Sequence, residues 1–195
     1  MACRPSRNRA LAIPPELETR RLLLRRFEAG DAPFVLRLLN EPSFIENIGD
    51  KGVRSLEDAQ RYLREGPMAM YELHGFGLWH ASRKSDGEAV GMCGLLRRDN
   101  LPDVDIGYAY LPGFWGQGFA FEAAEATMRH AAGKFGLRRL IGVVSPGNSG
   151  SIRVLEKLGM SFECMYPMHP GQPEVCLYGR TLGAAAAGLS ALRGA

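Results

Sequence analysis

Residues 111–123, Leu-Pro-Gly-Phe-Trp-Gly-Gln-Gly-Phe-Ala-Phe-Glu-Ala, join an alternating apolar segment to a long Ala-rich one. Upstream, Asp103-Val-Asp-Ile-Gly-Tyr-Ala-Tyr110 has the period of a strand. Downstream, Ala120, Ala123, Met128, Ala131 and Phe135 keep helical spacing until Gly136, a natural stop. Glycine weakens the interior of either element, so Gly116 and Gly118 at the seam imply a close approach to the backbone. Two readings follow. The glycines let the helix pack tightly on the sheet, or they open an anion site, because the first amides of a helix are unpaired and its dipole is positive there. In the second reading a diphosphate reaches the amides of Gln117, Gly118, Phe119 and Ala120 with no Cβ in the way. The dinucleotide pattern G-x-G-x-x-G is only half met: its third glycine falls on Phe121, and the strands before the loop read as antiparallel.

Working outward, Arg20 to Phe27 reads as a first strand, and Gly30-Asp31 opens a helix through Phe34, Val35, Leu36, Leu38 and Leu39. Ser55-Leu-Glu-Asp58 has the form of a capping box before a second helix with Tyr62 and Leu63. Gly77 to Ser82 and Ala89 to Leu96 make a hairpin about Lys84-Ser-Asp-Gly87, so three antiparallel strands in a row precede the seam. After Gly136 come a buried strand, Arg139 to Val144, a helix with Ile152, Leu155 and Leu158 on one face, and two strands near Ser161 to Tyr166 and Val175 to Thr181. The pattern predicts an α+β fold: a mixed, mostly antiparallel twisted sheet flanked by helices.

The chain has 195 residues, 46% hydrophobic and 23% charged, the composition of one globular domain with a sizeable core. Residues 1–15 read as a short flexible leader, with a transit peptide as the other reading. Residues 16–183 read as the domain and 184–195 as an Ala/Gly-rich tail. No apolar run approaches the roughly 20 residues that cross a bilayer, and Ala10 to Ile13 is too short for a signal core, so a cytoplasmic protein with no membrane partner is expected. A net charge of +3, with bases scattered among acids, gives little ground for nucleic-acid binding and suits a small polyanion equally well. Cys3, Cys93, Cys164 and Cys176 show no paired spacing and are expected as reduced thiols. His74, His80, His130 and His169 share no ligand spacing, so no metal is expected.

Asn148-Ser-Gly-Ser-Ile-Arg-Val-Leu-Glu-Lys-Leu-Gly-Met160 follows the buried strand. With Asp105 to Tyr110 and Trp115 to Ala123 it resembles the GNAT superfamily of acetyl-CoA-dependent N-acetyltransferases, and most of all its RimJ/RimL ribosomal-protein branch. The resemblance runs from about Thr19 to Thr181 and takes in Glu18-Thr-Arg-Arg-Leu-Leu-Leu-Arg25 and Ile45 to Ala59. It implies a GNAT-like fold, acetyl-CoA as co-substrate, its diphosphate on the amides of Gly116 to Ala120, and its pantetheine arm along Tyr108, Ala109 and Tyr110. Family members write the loop as Gln or Arg, two residues, Gly, one residue, then Gly or Ala. Gly118 and Ala120 match, while Trp115 holds the Gln/Arg position.

The resemblance also implies roles. A backbone N–H near Tyr108 or Ala109 polarises the thioester carbonyl, and Asp105 stands where relatives often carry a base, unless it is only a solvent-facing strand carboxylate. Ser151 matches the serine associated with the RimJ/RimL branch as general acid, and Leu155 stands where many relatives have a tyrosine. Asn148 either binds pantetheine, caps its helix, or does both. Cys93 reads as a buried thiol in preference to an acetyl carrier, and Trp79, Phe44 and Tyr71 are candidate walls of an acceptor pocket. The expected activity is acetyl transfer to a primary amine, a protein N-terminus or a small amine, by a monomer or homodimer. The rival class is a non-catalytic acyl-CoA binding or sensing protein.

Overall fold

The computed structural model describes residues 16–168 and 171–183, so the expected leader, the tail and His169 lie outside the described residues. Among the described residues the strands are β1 (Leu17–Glu18), β2 (Leu22–Arg25), β3 (Leu78–Arg83), β4 (Ala89–Leu96), β5 (Asp105–Tyr110), β6 (Arg139–Val144), β7 (Ser161–Tyr166) and β8 (Val175–Thr181). The helices are α1 (Ala32–Leu39), α2 (Pro42–Ile48), α3 (Leu56–Leu63), α4 (Ala69–His74), α5 (Phe119–Phe135) and α6 (Ser149–Lys157). One sheet runs in the order β1-β2-β3-β4-β5-β6-β8-β7. Its pairs are antiparallel except β5 with β6, which is parallel and registers at Asp105 opposite Ile141 alone. This is the mixed, mostly antiparallel α+β sheet that the pattern predicts.

The sheet buries both faces. Leu78, Met92, Ala109 and Leu111 pack under α1, α2 and α3, while Trp79, Cys93, Leu95, Ile106 and Tyr110 face α5. That alternation is the strand period made visible. On α5 the buried residues are mostly small, Ala123, Ala124, Ala126, Thr127 and Ala131, so the helix axis lies close to the strands. Gly136 ends it in the left-handed region at φ 63°. Ser55 and Asp58 form the expected capping box, each side chain accepting the other's backbone N–H at 3.1 Å, a motif worth about 1 kcal/mol.

Two helices escape the periodic reading. In α2 Pro42 fixes the start, yet Phe44 is its one buried residue, so seven residues carry no apolar stripe. Helix α4 continues α3 through a π-helical turn, Arg64–Met68, that contains Pro67. The first strand is shorter than expected: β1 folds back on β2 through a turn at Thr19, whose N–H donates to the Leu22 carbonyl at 2.9 Å. No helix of the described residues is long and apolar enough to cross a membrane.

Two titratable groups are buried among these elements, with opposite consequences. His80 on β3 lies edge-on to Phe27 and Phe34, at 5.7 and 5.1 Å between centroids. Burial, aided by the Arg25 charge, pushes its imidazole from 6.5 down to about 4. The unfolded chain therefore binds the extra proton, and stability present above about pH 6.5 is lost as pH falls toward 4. Asp105, 1% exposed, is driven by burial from 3.8 up to about 7, with Arg98 at 3.2 Å opposing. Here the folded chain keeps the proton, so stability falls as pH rises from about 4 to 7. Urea unfolding from pH 4 to 8 should therefore find Asp105→Asn more stable than wild type at pH 8, by roughly 1–3 kcal/mol, and little changed at pH 4. His80→Gln should flatten the loss below pH 6.5.

Candidate active site

The seam between β5 and α5 is built by two glycines in the left-handed region, Gly116 at φ 73° and Gly118 at φ 79°. A Cβ at Gly116 would meet nothing within 4 Å, and one at Gly118 would reach only the Arg21 Nη2 at 3.4 Å. The glycines therefore serve the left-handed turn and not a close approach of the helix to the sheet. Gly118 is the N-cap of α5 and no side chain caps the helix. The first intrahelical bond is from the Glu122 N–H to the Gly118 carbonyl at 3.0 Å. The amides of Gly118, Phe119, Ala120 and Phe121 thus stand at the positive end of a 17-residue helix with no helical carbonyl before them.

Beside the loop, β5 and β6 part after one pair. The Leu111 N–H donates to Val90 on one side, and the Val104 carbonyl accepts from Ile141 on the other. Backbone groups alternate sides along a strand, so beyond that pair those of Tyr108 and Tyr110 face the gap, and those of Ala109 face Met92 of β4. Of the two expected oxyanion donors, the register leaves Tyr108 and turns Ala109 away. The Tyr110 carbonyl already accepts from the indole Nε1 of Trp115 at 2.7 Å. Trp115, 54% exposed, thereby ties the loop to the open edge of β5.

Across the gap, α6 supplies the other wall. Asn148 is its N-cap: the side-chain oxygen accepts the Ser151 N–H at 3.0 Å, the capping reading made concrete. The Tyr108 hydroxyl lies 2.8 Å from the Ser151 Oγ and donates to the Ser151 carbonyl at 3.1 Å. Burial raises the Tyr108 phenol well above its usual value, so it holds its proton. The pairing of Ser151 with the tyrosine of β5 was missed in the sequence, because 43 residues separate them. Leu155 is buried in the core against the sheet and offers no polar atom.

Together these elements enclose a cleft of about 660 Å³ lined by β5, the Gly116–Phe121 loop, α6 and α2. Tyr108, Ala109, Tyr110, Gly116, Gly118, Phe119, Ala120, Asn148 and Ser151 all line it. Gln117 does not: its side-chain amide donates to the Gly113 carbonyl at 2.9 Å. Asp105 is also outside the lining. It is not a solvent-facing carboxylate, and three residues of strand rise put it about 10 Å from Tyr108. Phe44 lines the cleft, whereas Trp79 packs against His130 in the α5-side core and Tyr71 is buried with its hydroxyl bonded to Leu78 and Phe27. Cys93 is buried beside Thr127, and burial pushes its thiol up to about 12. Glu41 and Glu46 on the α2 side face a cleft that also holds Arg153 and Lys157 of α6. Among the described residues no three His, Cys, Asp or Glu side chains gather as a metal site.

Comparison with known proteins places this geometry. Residues 21–161 match the family model described as an acetyltransferase (GNAT) domain. YkkB of Bacillus subtilis is 31% identical over 151 residues, which span 75% of this chain and 86% of YkkB. The crystal structure of an acetyltransferase from Agrobacterium tumefaciens is 27% identical, with a TM-score of 0.73 over 88% of this chain and 96% of that one. RimL, a ribosomal L7/L12 α-N-protein acetyltransferase solved with coenzyme A, shares the fold at TM-score 0.74 and 18% identity, over 86% of this chain and 97% of its own. The matched segment contains the split between β5 and β6, the uncapped start of α5 and the Asn148–Ser151 turn, and the chain belongs to the GNAT family of acetyltransferases.

Proposed function

We propose that this protein transfers an acetyl group from acetyl-CoA to a primary amine by direct attack in a ternary complex, in the manner of the RimJ/RimL branch. The observation that carries the reading is the uncapped amide start of α5 opening on the same cleft as the Tyr108–Ser151 pair. The amides of Gly118 to Phe121 suit a diphosphate, and the carbonyl of Tyr108 and the N–H of Tyr110 suit the amides of a pantetheine arm. The RimL crystal structure with coenzyme A supports that choice of ligand.

In the transfer, the amine nitrogen attacks the thioester carbonyl carbon, the C–N bond forms, the C–S bond breaks and the amine proton leaves to water. The Tyr108 N–H stabilises the developing oxyanion. Ser151 protonates the departing thiolate and takes a proton back from water, while the Tyr108 hydroxyl, which keeps its own proton, holds the serine in place. Because a thiol has a pKa near 8.5, this help is worth the low end of acid catalysis, about a hundredfold. Among the described residues no cysteine lines the cleft and Cys93 holds its proton, which favours direct attack over an acetyl-enzyme. An α-amine near pKa 8 is roughly a tenth neutral at pH 7, so a protein N-terminus, or a small amine of similarly low pKa, reacts without a strong base. Glu41 and Glu46 attract that amine. Asp105, away from the cleft, acts on it at most through water.

Thiol release assayed against a panel of amines tests the activity. Turnover on at least one amine is expected, and coenzyme A binding without turnover on any would favour the non-catalytic sensor, to which the buried Leu155 lends weight. Ser151→Ala should lower kcat about a hundredfold with KM for acetyl-CoA nearly unchanged, and Tyr108→Phe should lower it less. Gly118→Ala, forced into φ 79°, should lose about 1–2 kcal/mol of stability and weaken coenzyme A binding in calorimetry.

A further inference from the structure

The segment Glu18-Thr-Arg-Arg-Leu-Leu-Leu-Arg25 is part of the family likeness, yet the chemistry above uses none of it. Two of its residues reach the phosphate loop from behind. Thr19 Oγ1 donates to Glu122 Oε1 at 2.6 Å, the Arg21 backbone N–H donates to the same oxygen at 2.7 Å, and Arg21 Nε donates to Oε2 at 2.7 Å. Arg21 Nη1 donates to the Gln117 carbonyl at 2.9 Å, and its guanidinium lies over the Phe119 ring, 4.4 Å from the centroid. Every one of these contacts falls between residues 117 and 122, the turn that starts α5.

The direction of the Gln117 carbonyl matters most. In a trans peptide the C=O and the following N–H point opposite ways, and no described peptide bond is cis. With its oxygen held by Arg21, this peptide aims the Gly118 N–H away from Arg21, toward the cleft that Gly118 lines. A cation on the carbonyl also polarises the peptide and strengthens its N–H as a donor. Glycine at 116 and 118 leaves this peptide free to flip if the carbonyl is released. Glu122 adds a second reason. Burial alone would raise its carboxyl, but the bonds from Thr19 and Arg21 outweigh burial and hold it below its ordinary value, so it is charged in the first turn. Unpaired, that charge would repel an anion at the same helix end.

We propose that Arg21, itself held by Glu122 and Thr19, is a positioning residue that locks the Gln117–Gly118 peptide with its N–H toward the acetyl-CoA diphosphate. The proposal rests on the ligand reading above. Its test compares KM and kcat for acetyl-CoA with those for acetyl-pantetheine, which lacks the diphosphate, alongside calorimetry with coenzyme A. Arg21→Gln should raise KM for acetyl-CoA about tenfold, the effect of one charge-assisted hydrogen bond, and leave kcat and KM for acetyl-pantetheine unchanged. Arg21→Lys should not restore it, since an ammonium cannot bridge Glu122 and Gln117 as a fork does. The double variant Arg21→Gln/Glu122→Gln should recover part of the loss. Equal KM values for wild type and Arg21→Gln would overturn the proposal, as would parallel losses on both thioesters, which mark a merely structural role. Should Arg21→Gln fail to fold, Arg21→Lys carries the same comparison. A wild-type chain that takes up no coenzyme A overturns the ligand reading and this one together. Uptake by wild type and by Arg21→Gln with equal affinity overturns this one alone.

Discussion

Strands β5 and β6 are hydrogen-bonded neighbours for one residue pair and then part. A sheet interior tolerates unpaired peptide groups only where something else meets them, since a buried amide without a partner costs on the order of 1–3 kcal/mol. The parting therefore creates the site in one stroke. It exposes the inner edge of β5 at Tyr108 and Tyr110, sets the start of α5 at the mouth of the opening, and lets α6 stand opposite with Ser151. Sequence supports the split from both ends. The Ile141 N–H holds the Val104 carbonyl at the closed apex, and the Trp115 indole takes the Tyr110 carbonyl at the open one.

The same economy governs charge. An uncapped helix end is unfavourable by itself, and Gly116 and Gly118 add the entropic cost of residues that must be fixed in left-handed geometry. Neither feature contributes stability. The protein offsets them around the loop, with Gln117 folded onto Gly113, Phe119 under the Arg21 guanidinium, and Glu122 saturated by Thr19 and Arg21. The loop is held by side chains and carbonyls around it, and the first amides of α5 take no part in holding it.

Elements with strong periodicity were legible in the sequence: the β3–β4 hairpin, the strand at β5, the long helix to Gly136 and the Ser55 box all lie where the pattern put them. The family likeness, carried by short motifs at their proper intervals, came through for the same reason. Helix α2 was not legible, because a seven-residue helix with one buried side chain has no period to detect. Direction, of backbone groups and of side chains, was the other blind spot. Alternation along β5 is visible in sequence, but which side β4 takes is not, so Ala109 and Tyr108 looked equivalent as donors. Trp79 and Tyr71 looked like pocket walls for a similar reason: an aromatic on a strand or helix next to a site reads the same whether it faces the cleft or the core.

Trp115 shows how far a motif can depart while the physics persists. Family members have a Gln or Arg at that position, a donor within reach of the loop, and here an indole spends its one N–H on Tyr110 instead. A guanidinium nevertheless stands at the loop, arriving from Arg21, 96 residues away from the carbonyl it holds. The two side chains divide the loop between them: Trp115 fastens its first half to the edge of β5, and Arg21 fastens its second half to the start of β2. Between these anchors lie Gly116, Gln117 and Gly118, with both glycines in left-handed geometry. The backbone orientation of this seam is thus set by several independent contacts, and the identity of any single polar side chain on it is secondary to their number.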